Sequence, residues 1–265
     1  MVFRGTYSIT NTIVDLSANL QPYLPYSGGD DNDECTNCTV HAGFMISWQN
    51  ARPIIFPHLL EARKHHPDYK LVLVGHSLGG AVAALAALEM KAKGWQPHTT
   101  TFGEPRVGNA AFVEYLDCAF RLLDDHDDDL QFRRVTHVDD PIPLLPMEEL
   151  GYKMHAGEMY ISKPSLPPEI TDVQLCDGDQ DARCVAASEA RSPMGNLQAA
   201  PMDFESDACG SFPFHSIVPP IRYRLQELLF AHRDYFYRLG FCVPGGDPSR
   251  FRSPSSGCVK SQADH

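Results

Sequence analysis

The chain contains no apolar run long enough to cross a bilayer. A spanning helix needs roughly 18 or more apolar residues in succession, and the longest candidate, residues 81–88, is short and rich in alanine. A transmembrane segment is therefore not expected, and a soluble or peripheral protein is. Basic residues are scarce: 22 Lys and Arg stand against 34 Asp and Glu, a formal charge of −12. Nucleic-acid binding rests on cations that neutralise phosphates, so no such partner is expected. The opening Met1-Val2-Phe3-Arg4 lacks the n-region and apolar h-region of a secretory leader. Cys35-Thr36-Asn37-Cys38 is not followed by a second CxxC or an HxxxH at suitable spacing, and a structural zinc needs four ligands. The acidic run at 124–129 lacks the alternating ligands and glycine of a calcium loop and reads as solvated surface. No metal site and no internal repeat are expected.

What is present suits one domain. With 265 residues, 43% apolar and 21% charged, the chain can bury a single substantial core. Eight cysteines are many for a cytosolic chain of this size. Disulfides in an oxidising compartment explain them better than zinc.

Val2-Phe3 reads as a strand end before a glycine turn at Gly5. Ile9, Ile13 and Leu16 fall at i, i+4 and i+7, which predicts a short amphipathic helix over residues 8–16. Residues 21–37 read as a loop, and residues 41–69 as largely helical, interrupted at Pro53 and Pro57. The apolar run at 71–74 predicts a strand buried on both faces. A helix over 81–93 follows, then a strand at 99–102, a helix at 109–122 and a strand at 131–138. Strands alternating with helices predict an α/β fold with a mostly parallel sheet covered on both faces. Beyond 162 the regularity fades into Pro-, Gly- and Ser-rich segments, with a helical stretch again at 221–236.

The informative segment is Gly75-His76-Ser77-Leu78-Gly79. It matches G-x-S-x-G and stands between a predicted strand and a predicted helix, the context this motif requires. Side chains at the flanking positions would clash, so both are glycine, and the turn presents the serine at a helix N-terminus. Ser77 is the expected nucleophile. An alcohol of high pKa needs a base, and the base an orienting acid, in the chain order Ser, Asp or Glu, His. Asp139 and Asp140 follow the strand at 131–138, and spacing does not choose between them. His155 follows the acid too closely and reads as structural, whereas His215 and His232 both remain candidates for the base.

Taken in order, these motifs resemble the fungal class 3 lipases over essentially all of residues 2–242. The matching segments include Phe3-Arg4-Gly5-Thr6, Cys35-Thr36-Asn37-Cys38, Val40-His41-Ala42-Gly43-Phe44 and residues 75–80. Further matches are residues 102–109, residues 134–140, Gly151-Tyr152, and His232 with Tyr235-Phe236. The resemblance implies the α/β-hydrolase fold and a triad of Ser77, Asp140 and His232, with His215 set aside. It implies an oxyanion hole from Thr6 and Leu78, and a lid whose apolar face carries Ile9, Ile13, Val14 and Leu16. It also pairs Cys35 with Cys38 and Cys176 with Cys184, and places Cys242 where the family ties its C-terminus to a cysteine near the N-terminus.

The family carries an upstream helix and strands that this sequence does not. The expectation is an N-terminally truncated version of a secreted enzyme, with one sheet edge exposed. A catalytic domain is expected over 1–242, with an insertion at roughly 163–215 and a disordered tail at 243–265. The expected activity is ester hydrolysis, foremost of acylglycerols at a lipid–water interface, with no cofactor. Gly103-Glu104-Pro105-Arg106 also fits the feruloyl esterases of the same family, and a non-catalytic remnant is the third reading. Asn37-Cys38-Thr39 formally matches a glycosylation sequon.

Overall fold

A computed structural model describes residues 1–5, 19–24, 35–124, 130–178, 180–189 and 231–239, and all structural statements concern these residues. In chain order the strands are β1 (Val2–Phe3), β2 (Leu20–Pro22), β3 (Thr39–His41), β4 (Val72–His76), β5 (His98–Phe102), β6 (Phe132–His137), β7 (Glu158–Ile161) and β8 (Val173–Leu175). The helices are α1 (Ala42–His65), α2 (Leu78–Ala92), α3 (Ala110–Phe120) and α4 (Ala186–Glu189). Six strands make one sheet in the order β1-β4-β5-β6-β7-β8, and β2 with β3 makes a separate ribbon. Every pair from β1 to β7 is parallel, and β8 closes the sheet antiparallel to β7.

Strand register explains what lies on each face. Leu73, Thr99 and Phe132 are laterally paired. Leu73 and Phe132 belong to the main core, with Leu85, Met90, Phe112 and Trp48 from the three long helices. Successive right-handed crossovers that step in one direction put their helices on one side of a sheet, so α2 and α3 share this face. One residue out of phase, His76, Phe102, Val135 and Met159 form a row on the opposite face. There Tyr235 packs with Val135 and Ile161, against Phe102 and Met159.

Several expectations are corrected. The helix over 42–65 runs through Pro53 and Pro57 without a break. Both prolines are exposed, as is Gln49, so the carbonyls they release face water, while Trp48 and Phe56 hold the inner side. The run at 71–74 is not buried on both faces: Leu73 is fully buried but Val72 is 46% exposed. Residues 20–22, partly inside the expected loop, are β2, because their backbone finds partners on β3. Strands β7 and β8 carry no sequence signal strong enough to be read beforehand, and Glu158 in β7 breaks the apolar pattern. Residues 232–236 form a turn rather than helix, closed by the bridge of Asp234 to Arg238. Residues 221–230 of that expected helix lie outside the described residues.

Candidate active site

The strand-to-helix turn after β4 is as tight as the motif requires. Ser77 has φ 59° and ψ −133°, a conformation that costs an L-residue on the order of 1–3 kcal/mol and survives where surroundings enforce it. Its N–H donates to Phe102 O at 2.9 Å. A Cβ on Gly75 would lie 2.3 Å from Gly79 O, and one on Gly79 would lie 2.3 Å from Phe3 O. The end of β1 therefore runs against the start of α2, and a Cβ on Gly5 would come within 2.8 Å of the Ser77 Cβ. Leu78 begins α2, where backbone N–H groups have no intrahelical acceptor and the helix dipole favours negative charge. Thr6 and the lid positions Ile9, Ile13, Val14 and Leu16 lie outside the described residues.

Asp139 and Asp140 separate sharply. Asp139 is exposed, whereas Asp140 is 1% exposed and turned inward after β6. Its carboxylate accepts from His232 Nδ1 at 2.9 and 2.8 Å, from the Tyr235 hydroxyl at 2.5 Å and from Ile142 N–H at 2.9 Å. Burial by itself would raise the Asp140 pKa. The neighbouring His232 and the three donors outweigh it and hold the carboxyl below its ordinary range. Burial, then the Asp140 charge, pushes the Tyr235 hydroxyl well above its ordinary value, so it stays a donor.

His232 is fully buried. With Nδ1 on Asp140, its Nε2 has no hydrogen-bond partner among the described residues. The residue before the serine reaches the same loop: His76 Nε2 donates to His232 O at 2.8 Å, with ring centroids 4.5 Å apart. Residues from β4, the turn after β6 and the 231–239 segment thus converge at the C-terminal ends of the parallel strands, where ligands bind in open α/β sheets. His155 stands elsewhere, with Nε2 3.2 Å from Glu104 Oε1 and Nδ1 2.7 Å from Ala156 O. His215 is outside the described residues.

Sequence reasoning attached no role to His76, Tyr235 or Gly103. The only available signal for Tyr235 was its place three residues after His232 in a matching segment. Cys35–Cys38 and Cys176–Cys184 are disulfide-bonded, and Cys118 is exposed with no disulfide partner among the described residues. Cys209, Cys242 and Cys258 lie outside the described residues. Among the described residues no group of three or more His, Cys, Asp or Glu is arranged to hold a metal. No helix among them is long and apolar enough to cross a membrane.

The Lipase (class 3) family profile matches residues 1–150. Lipase A of Sodiomyces alcalophilus is 48% identical over 281 residues, covering 98% of this chain and 67% of that protein. Secreted mono- and diacylglycerol lipase 2 of Gibberella zeae is 48% identical over 264 residues, covering 94% and 64% respectively. The crystal structure of Lip2 lipase from Yarrowia lipolytica superposes with a TM-score of 0.62 at 32% identity, covering 70% of this chain and 65% of that one. The chain thus spans about two thirds of the length of these relatives. Its strands, its elbow and its similarity along nearly the whole sequence agree, and the chain belongs to the class 3 lipase family.

Proposed function

We propose that this protein hydrolyses acylglycerol esters through Ser77, His232 and Asp140. The observation that supports this most is the state of His232: buried, fixed through Nδ1 on Asp140, and with Nε2 unpaired among the described residues. An imidazole held in that tautomer is a general base waiting for a hydroxyl proton. Ser77 Oγ attacks the ester carbonyl while its proton passes to His232 Nε2. Leu78 N–H, with Thr6, holds the tetrahedral oxyanion, and the C–O bond to the leaving alcohol breaks as His232 returns the proton. Water then attacks the acyl-enzyme by the same steps, releasing the acid and restoring Ser77. Asp140 stays ionised throughout and stabilises the imidazolium.

Secretion is supported by the two disulfides and by the secreted relative from Gibberella zeae. The apolar positions Ile9, Ile13, Val14 and Leu16 suit contact with a lipid surface.

The test is fluorophosphonate labelling together with titration of fatty acid released from emulsified diacylglycerol. Ser77→Ala is expected to abolish labelling and to lower turnover by roughly 10⁴-fold or more. Faster turnover of soluble feruloyl esters than of acylglycerols would move the protein to the esterase branch. A folded wild-type chain that takes no label would refute catalysis by Ser77.

A further inference from the structure

G-x-S-x-G leaves its second position free, yet in this chain His76 makes a specific long-range bond. Along β4, Leu73 and Gly75 turn towards α2, and His76 falls in the opposite-face row with Phe102 and Val135. That row is the floor on which the 231–239 segment rests. Tyr235 stands edge-on to His76 at 6.1 Å and to Phe102 at 5.6 Å. The His76 ring lies 4.5 Å from that of His232, tilted by 35°, and its Nε2 reaches the His232 carbonyl at 2.8 Å.

We infer that His76 is a positioning residue which clamps the main chain of His232 to the strand end carrying Ser77. The inference rests on the triad reading above. Asp140 holds the imidazole at Nδ1 and Tyr235 holds Asp140, but neither makes a hydrogen bond to the strand end that carries Ser77. His76 is covalently adjacent to Ser77, so its bond to residue 232 ties base and nucleophile into one unit. Errors near 1 Å in such a distance can cost about 10²-fold in rate.

The chemistry of the clamp favours a neutral donor. His232 becomes an imidazolium during attack, and a permanent cation at position 76 would oppose that charge at close range. Burial, followed by the proximity of His232, lowers the His76 pKa to about 4, so the ring stays neutral at ordinary pH. A neutral ring that donates from Nε2 carries its proton on that nitrogen.

The experiment compares His76→Gln with His76→Met in the full chain, a pair of similar shape that differs in an amide donor. Both are assayed for kcat and KM on a soluble short-chain ester and for the rate of fluorophosphonate labelling, with circular dichroism to verify folding. The loss of one such bond is worth about 10-fold. His76→Met is expected to lose that much or more in kcat and in labelling rate, with KM nearly unchanged, and His76→Gln to recover most of it. If His76→Met does not fold, His76→Phe keeps the ring without the donor and takes its place. Equal rates for the Gln variant and the donor-free variant would overturn the clamp, as would a change confined to KM. Ser77→Ala, run alongside, separates the two ideas: loss of labelling there upholds the triad even where the clamp fails.

Discussion

Gly103 shows how little room the candidate triad leaves. It has φ +58°, and a Cβ there would lie 2.6 Å from the Tyr235 hydroxyl, 2.7 Å from His232 Cε1 and 2.8 Å from Asp140 Oδ2. Those three atoms belong to the groups that must stay in register, and they are packed on a backbone position bare of side chain. An alanine would be strained by its φ and would also force the imidazole, the carboxylate or the phenol aside. Gly103→Ala is expected to lower kcat by about 10²-fold or more, measured on a soluble ester beside the labelling rate. A variant of wild-type kcat would show that the three groups tolerate displacement.

At the scale of elements, β6 and β7 are joined by buried charge. Arg134 and Glu158, 2% and 1% exposed, pair at 3.1 Å. Glu158 also accepts from the Thr136 hydroxyl and from Val185 N–H at 3.2 Å, next to the Cys176–Cys184 bridge. Arg134 Nε donates to His155 O at 3.1 Å. Every member has partners, which is the condition under which such a network is tolerated. Removing one ion leaves the other buried and uncompensated. Arg134→Met is expected to destabilise by about 3–5 kcal/mol, and Arg134→Met with Glu158→Leu by clearly less than that. Urea denaturation midpoints check the order. A double variant no more stable than the single would mean that lost packing, not stranded charge, sets the cost.

For the whole molecule, the same burial makes stability depend on acid. In the folded chain His76 titrates near 4 rather than 6.5, so between those values the unfolded chain binds a proton that the folded chain does not. Stability from this group is complete above about pH 6.5 and falls as pH drops towards 4, by on the order of 3 kcal/mol. Asp140, depressed below 3.8, adds a loss that starts only below its unfolded value, because its ionised form is the one the fold prefers. Tm is therefore expected to decline from pH 7 to pH 4, and His76→Gln to flatten that decline. A Gln variant with the full wild-type slope would assign the acid sensitivity to other groups.

The elbow was legible from residues 75–79 because its constraints are local: two glycines, a serine, a strand before and a helix after. The helices expected over 81–93 and 109–122 were legible within a few residues of their observed ends, Leu78–Ala92 and Ala110–Phe120, because helix propensity is also local. Neither spacing nor composition separated Asp139 from Asp140 or His232 from His215; resemblance to a family chose among them. Burial of one aspartate and exposure of its neighbour depend on how the chain leaves β6. The bonds from residue 232 cross 92 residues to Asp140 and 156 to His76. Contacts of that span follow from strand register and sheet order, and they impose no periodicity on the chain between. The strained turn could thus be named from neighbouring residues, whereas what meets it across the sheet was decided only when the strands paired.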